Sequence, residues 1–233
     1  MSNADGPRIN TSGLVLCLDA SDGNSYPGVG NVWKDMSGNT LNASGDGGYI
    51  SSTGVTSGVS WTTSTTSILN TDTHSVFFML RLNPSATFPN GYTGGWEKIF
   101  SYNAGGSDRS PGVWRYPSNR LIHWRYDPGN SGIDISTTAA GSYFVSGTEF
   151  SLNTWYQVGV TKNGATANAY VNGNYVGTNT VSNPKTSGTS AITINEYYTN
   201  PLNNVNCVQV YDRVLTPSEI KENFNSIRSR FGI

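Results

Sequence analysis

Two Asn-Gly pairs within residues 155–177 constrain the fold of this chain more than any other feature of its sequence. Asn163-Gly164 and Asn172-Gly173 separate three short runs of strand-forming residues. Asn and Gly both accept the positive φ that a type I′ turn requires at its two central positions. The pattern therefore predicts three antiparallel strands joined by two tight hairpins, a β-meander.

Length and charge narrow the class of protein. A chain of 233 residues suits one β-sandwich or barrel. Only 12% of the residues are charged and the formal net charge is −1, so we expect no nucleic-acid partner, because phosphate binding needs many Lys and Arg contacts. The polar start of the sequence carries no secretion signal, and no run approaches the roughly 20 apolar residues of a membrane helix. We expect synthesis in the cytoplasm and no membrane insertion.

Short apolar runs bounded by turn residues predict further strands. Leu14–Leu18 is a nearly continuous apolar run, which indicates a strand covered on both faces. Ser75–Leu82 is the clearest core strand and ends at Asn83-Pro84, because proline cannot donate to a central ladder. The segment 42–56 is rich in Gly, Ser and Thr and permits only weak edge strands. The remaining predicted strands are Lys98–Tyr102, Val113–Tyr116, Leu121–Tyr126, Ser142–Val145, Ala191–Asn195 and Cys207–Tyr211.

One helix is predicted, at about 216–228. Thr216 and Glu219 have the spacing of a capping box, with Pro217 at the first helical position. Apolar residues then recur at helical spacing from Ile220 to Phe231, so one face should pack on the sheet or on a neighbouring chain. Because no helices alternate with strands, the fold class is all-β and antiparallel.

A repeated Trp-Arg-Tyr sequence is the strongest candidate for a binding site. On paired strands, alternation places Trp and Tyr of each repeat on one face and Arg on the other. An exposed aromatic face would stack against sugar rings, whereas a buried one would be core or a subunit interface. The candidate residues for glycan binding or an interface are Trp96, Tyr102, Arg109, Trp114, Arg115, Tyr116, Trp124, Arg125, Tyr126 and Asp127. Alanine at Trp114 and at Trp124 is expected to separate the two interpretations.

The sequence offers little for catalysis or for zinc. No two carboxylates occupy alternate positions of one predicted strand, as a glycan hydrolase of this class would need, so no catalytic residue is predicted. His74 and His123 are the only histidines and have no second ligand at zinc spacing. Cys17 and Cys207 are interpreted as two buried thiols, with a disulfide as the alternative.

Several motifs together resemble the laminin G-like, concanavalin A-like jelly-roll domains of bacteriophage structural proteins. They are Gly13–Ala20, Ser25–Gly28, Trp33–Asn39, Trp155-Tyr156 with Tyr170–Gly173, Val208–Ile220, Asn223-Phe224 and Arg230–Gly232. The resemblance implies an N-terminal arm over 1–12 and one antiparallel jelly-roll sandwich over 13–233 that includes the C-terminal helix. It also implies that the first and last strands are neighbours, which would bring Cys17 near Cys207.

The resemblance guides the expected function. We expect a non-enzymatic virion protein, such as a head decoration, fibre or tail appendage on the virion surface, whose partners are other virion proteins, copies of itself and, as a candidate, host-surface glycans. The alternative is a lectin-like adhesion module whose main role is glycan recognition, and a glycan hydrolase with dispersed carboxylates is a third class. No cofactor is required. Calcium is a candidate ion, with Asp108 or Asp127 as a carboxylate ligand.

Overall fold

The alternating and apolar runs of the sequence form strands throughout the computed structural model. It describes residues 9–45, 50–51, 54–55, 60–84, 96–103, 109–115, 119–127, 129–143, 145–182, 188–195 and 203–233. The strands are β1 (Leu14–Asp19), β2 (Val32–Trp33), β3 (Ala43–Gly45), β4 (Ile50–Ser51), β5 (Gly54–Val55), β6 (Trp61–Thr63), β7 (Thr73–Leu82), β8 (Glu97–Tyr102), β9 (Gly112–Arg115), β10 (Ile122–Arg125), β11 (Gly132–Ile135), β12 (Ala140–Gly141), β13 (Trp155–Asn163), β14 (Thr166–Val171), β15 (Asn174–Thr180), β16 (Ile192–Ile194) and β17 (Asn203–Tyr211). The helix α1 (Pro217–Ile227) follows, continued by a 3-10 turn over Arg228–Phe231.

Strand pairing builds two layers of a sandwich. The first layer runs in the order β1–β17–β7–β13–β14–β15. The second layer runs in the order β11–β10–β9–β8–β16–β6–β3–β2. The short strand β12 pairs with both β11 and β15 and so joins the two layers at one edge. Apart from the β12–β15 bridge, these pairings are antiparallel, as the sequence predicts.

The main core lies between the layers. Val76, Phe78, Leu80 and Leu82 project from alternate positions of β7 into it, and they are at most 2% exposed. The intervening Phe77 and Met79 point to the opposite face and belong to two smaller apolar clusters. The burial of both faces explains why β7 is nearly continuously apolar rather than alternating.

The β-meander is confirmed as β13, β14 and β15. At the second turn Asn172 and Gly173 have φ of 51° and 71°, the positive values that a type I′ turn requires. At the first turn the loop is shifted by one residue. Asn163 remains in β13, paired with Thr166, and Gly164 with φ of 56° is the first loop residue.

The predicted C-terminal helix is confirmed and packs on the outer face of the first layer. The side chain of Thr216 accepts a hydrogen bond from the Glu219 backbone N–H, and Glu219 accepts one in return, so the capping box is complete. Ile220 packs with Phe77 and Tyr211, and Ile227 packs with Met79. The apolar stripe therefore covers the sheet of its own chain.

The structure corrects one predicted strand and agrees with the expected pairing of the first and last strands. The segment predicted as a strand over Ser142–Val145 is not one, because β12 ends at Gly141 and the chain bends at Ser142 and Tyr143. The first and last strands pair, with Cys17 opposite Gln209 and Cys207 opposite Asp19, as the resemblance implies. Both cysteines are buried free thiols.

Candidate functional site

Strand register places four polar or aromatic residues in one row on the second layer. Lys98 of β8 lies opposite Trp114 of β9, Trp114 opposite His123 of β10, and His123 opposite Asp134 of β11. None of the four belongs to the core between the layers. We call these residues the open-face row, because they lie on the face that points away from the core.

The floor of this face is a compact group of ionisable side chains. The Arg125 Nη2 donates to Asp134 Oδ1, and His123 Nδ1 lies 2.8 Å from the same oxygen. Both Arg125 and His123 are at most 2% exposed, and Asp134 is fully buried. Burial alone would raise the pKa of Asp134, but the hydrogen bond to His123 and the Arg125 charge outweigh burial, so the pKa of this carboxyl lies below its ordinary value.

Hydrogen bonds within the β10–β11 hairpin hold Arg125 in place. Its Nε donates to Asn130 Oδ1 at 3.2 Å and its Nη1 donates to the Trp124 carbonyl at 3.1 Å. Gly132 lies opposite Arg125, and a Cβ at Gly132 would come within 2.7 Å of Arg125 Cδ. The glycine thus leaves the space that the arginine side chain occupies.

Two half-exposed aromatic rings stand over this floor. Trp96 is 38% exposed and Tyr143 is 50% exposed. The Trp96 ring meets the His123 ring edge-on at 4.6 Å, and the Tyr143 ring lies 6.1 Å from the same imidazole. The Arg125 guanidinium also lies 5.4 Å from the Tyr143 ring centroid. Aromatic rings that are partly exposed beside fixed polar groups have the form of a sugar-stacking surface.

The aromatic and polar groups enclose a pocket of about 140 Å³. Arg109 lies 5.5 Å from the Trp114 ring centroid and donates to Asn130 Oδ1 at 3.2 Å. The pocket is lined by Trp96, Arg109, Trp114, His123, Arg125 and Asn130. It holds hydrogen-bond donors and aromatic faces in one small concavity.

Four of the predicted site residues therefore come together, namely Trp96, Arg109, Trp114 and Arg125. The other described candidates lie elsewhere. Trp124 is fully buried and stacks on Phe78, with centroids 5.4 Å apart and the rings nearly parallel. Arg115 turns to the other face of β9, where it donates to Glu97 Oε2 at 3.2 Å.

The remaining three described candidates are structural. Tyr102 is buried and its hydroxyl donates to the Thr66 carbonyl at 2.8 Å. Tyr126 is 2% exposed and packs beside His74. Asp127 accepts a hydrogen bond from the Ser131 backbone N–H and so closes a turn. Tyr116 lies outside the described residues.

Sequence reasoning missed His123, Asn130, Asp134 and Tyr143 as members of the site. His123 was considered only as a zinc ligand, although it alternates in phase with Arg125 and shares its face. Asp134 and Trp114 lie beside His123 because of cross-strand register, which the sequence of a single strand does not specify. Tyr143 falls where a strand was predicted, and the chain bends there instead, with the Tyr143 ring centroid 5.4 Å from the Arg125 guanidinium.

The described residues also bear on metal binding and on membrane insertion. No three or more His, Cys, Asp or Glu side chains are arranged there so that they could hold a metal ion. The calcium prediction stays a prediction, since Asp108 lies outside the described part and Asp127 is engaged in its turn. No helix within the described ranges is both long and apolar enough to cross a membrane.

Comparison with known proteins identifies the relatives of this fold. Residues 87–221 match the Laminin_G_3 family model, described as the concanavalin A-like lectin/glucanases superfamily. No curated protein matches the chain. Among solved structures, the Trypanosoma rangeli sialidase in complex with sialic acid superposes with a TM-score of 0.64 at 17% identity, covering 99% of this chain and 35% of that one.

Two toxin structures are similar to the same degree. The binding domain of botulinum neurotoxin serotype D gives a TM-score of 0.61 at 17% identity and covers 93% of this chain and 52% of that one. The binding domain of botulinum neurotoxin DC, in complex with SialylT, gives 0.62 at 19% identity and covers 94% and 52%. The chain thus spans about a third of the sialidase and about half of each toxin binding domain. At these identities the likeness shows the fold alone.

The prediction of a non-enzymatic protein is contradicted by these comparisons. The similar structures include sialidases, which are enzymes, alongside toxin binding domains. The absence of a paired-carboxylate motif, on which the prediction rested, does not decide the matter for a fold shared by both kinds of protein. The corrected statement is that the enzymatic status of this chain is unresolved.

Proposed function

Because this chain belongs to the concanavalin A-like lectin/glucanases superfamily, we propose that it binds carbohydrate in the pocket beside the open-face row. The observation that carries the proposal is the pair of half-exposed rings, Trp96 and Tyr143, which both lie beside the His123 imidazole of the floor, with Trp96 also lining the pocket. Ring faces and fixed donors in one concavity are what a sugar needs, because its C–H faces pack on aromatic rings while its hydroxyls require hydrogen bonds.

The charges around the pocket favour an acidic sugar. Lys98, Arg109 and Arg125 supply three cations, and Asp134 supplies the one carboxylate among the residues of the row and the pocket lining. Arg125 is already paired with Asp134, so Arg109 at the rim is the donor best placed for a sugar carboxylate. The sialidase bound to sialic acid makes sialylated glycans the first class to test.

The test uses a glycan array followed by calorimetry on the strongest binders. Trp96→Ala and Tyr143→Ala should each weaken binding by about tenfold, the equivalent of one stacked ring at about 1.4 kcal/mol. Tyr175→Ala is the matched control, because Tyr175 is 55% exposed but lies on β15 of the other layer. Equal losses for all three variants, or an array with no binders, would overturn the proposal.

The virion role stays a prediction. The family match and the similar structures support a lectin-like domain and say nothing of a phage particle. Self-association and contact with other virion proteins also stay predictions. Antibody-labelled electron microscopy of intact particles is the test, and labelling at one defined position would support a structural role in addition to glycan binding.

A further inference from the structure

A second and larger cavity lies on the opposite side of the molecule, under the end of α1. It has a volume of about 490 Å³, within the range of roughly 300–1,000 Å³ that small-molecule sites occupy. Its walls come from the segment that precedes β1, from β1 and β17, from the loops that carry Asp22 and Met36, and from the end of α1 with the following 3-10 turn. The lining includes Ile9, Leu14, Cys17, Gln209, Ile227 and Arg230.

The cavity is lined by residues of two apolar clusters on the face that α1 covers. Leu14 and Cys17 belong to one cluster, with Phe77 and Tyr211. Ile227 belongs to the other, with Met79 and Cys207. Of the lining residues, Ile9 packs against both clusters, so apolar side chains from both clusters form most of the floor of the cavity. An apolar body of a few carbon atoms fits such a floor.

A buried amide lies between the two clusters. Gln209 is 2% exposed and lies opposite Cys17 in the β1–β17 ladder. Its Nε2 is 3.6 Å from Cys207 Sγ, and its Oε1 has no hydrogen-bond partner among the described residues. A buried acceptor without a partner is unfavourable, and a ligand that donates a hydrogen bond to it would remove that cost.

The charges near the cavity favour a cation over an anion. Asp19 and Asp22 line it, and Asp35 is close enough to act on Cys17. Arg230 is the one cation in the lining, and its Nη2 donates to Asp19 Oδ2 at 2.7 Å. Burial first, and then these carboxylates, raise the pKa of the Cys17 thiol to about 12. Burial disfavours a charge of either sign, so the preference for a cation rests on the carboxylates, which Arg230 opposes in part.

We propose that this cavity is a binding site for a small amphipathic amine, whose apolar body lies on the floor and whose ammonium donates to Gln209 Oε1. The carboxylates of Asp19 and Asp22 supply the long-range attraction for the positive charge. The site is separate from the glycan pocket, and the proposal does not depend on carbohydrate binding.

The experiment compares three probes of one chain length, namely hexylammonium, hexan-1-ol and hexanoate. Methyl NMR of the full chain follows Ile9, Leu14 and Ile227, which line the cavity. We expect these methyls to shift with hexylammonium, with an affinity about fivefold or more above that for hexan-1-ol, and to show no shift with hexanoate.

Two matched substitutions separate a ligand site from a nonspecific apolar surface. Gln209→Met removes the amide at similar volume and should lower hexylammonium affinity about fivefold or more. Gln157→Met is the control, because Gln157 is also 2% exposed but does not line the cavity. The proposal is overturned if no probe moves these methyls, if hexanoate binds as well as hexylammonium, or if the two variants lose equal affinity.

Discussion

The Trp-Arg segments of β9 and β10 have the same sequence and opposite orientations. In β9, Trp114 lines the pocket beside the open-face row, and Arg115 turns to the other face and donates to Glu97. In β10, Trp124 stacks in the core and Arg125 forms the pocket floor. Register causes the inversion, because Trp114 pairs with His123 rather than with Trp124. Identical Trp-Arg dipeptides on neighbouring strands thus take opposite roles when the strand pairing offsets them by one residue.

The largest expected difference between the two strands is the loss of stability when each tryptophan is replaced by alanine. Trp124→Ala should lower the free energy of unfolding by about 4 kcal/mol, because it empties a closed site against Phe78. Trp114→Ala should cost about 2 kcal/mol, since its ring lines an open pocket that water can enter. Urea denaturation of both variants measures the difference.

Trp124→Ala is not the diagnostic variant that the sequence analysis expects. Trp124→Ala cannot separate glycan binding from self-association, because its effect is on the core. Trp124→Phe is the control and should recover more than half of the lost stability. Equal costs at Trp114 and Trp124 would mean that both rings face the same way, contrary to the observed register.

The two arginines provide the next comparison. Arg115 and Glu97 are 3% and 5% exposed, so Arg115→Ala leaves a buried carboxylate with fewer partners. We expect a loss of about 3 kcal/mol in the free energy of unfolding. The double variant Arg115→Met with Glu97→Gln removes both charges and should lose less than Arg115→Ala alone. A larger loss in the double variant would contradict this account.

Local sequence patterns predicted the elements but not the pairing that builds the site. The capping box at Thr216 and the turn at Asn172-Gly173 are specified by residues in contact along the chain, and both were predicted correctly. The row from Lys98 to Asp134 depends on cross-strand register across four strands. Alternation within β10 correctly places Trp124 and Arg125 on opposite faces of the strand. Which of the two side chains faces the core depends on the neighbouring strands.

The residues packed around Tyr126 in the core predict that the stability of the protein depends on pH. Tyr126 packs beside His74, with ring centroids 5.8 Å apart, and the Lys162 ammonium lies 5.5 Å from the Tyr126 ring. Burial, and then the charge of Lys162, lowers the pKa of His74 from 6.5 to about 4. The unfolded chain therefore takes up this proton at higher pH than the folded chain does.

The resulting loss of stability has a defined window. As pH falls from 6.5 to about 4, the folded state should lose up to about 3 kcal/mol from this residue, and no more below pH 4. Denaturation at a series of pH values measures the slope, and His74→Phe should flatten it. A wild-type slope that persists in His74→Phe would assign the effect to other groups.

The smallest expected effect is a difference in the direction of the pKa shift between the two carboxyls that pair with Arg115 and Arg125. Burial outweighs the attraction of Arg115 and raises the pKa of Glu97 above its ordinary value of 4.5. At Asp134 the balance is reversed, because the His123 hydrogen bond and the Arg125 charge outweigh burial and hold its pKa below 3.8. Carbon-detected NMR titration of the side-chain carboxyls measures both directions in one sample.

The sign of each shift fixes what each pair contributes. The stabilisation from ionised Asp134 is complete above pH 3.8 and is lost as pH falls through its lower folded pKa. Glu97 behaves oppositely, since stability decreases as pH rises from 4.5 through its raised folded pKa. If both carboxyls titrate on the same side of their ordinary values, the arginines of β9 and β10 lie in equivalent environments, and the inversion of the two repeats does not extend to their charges.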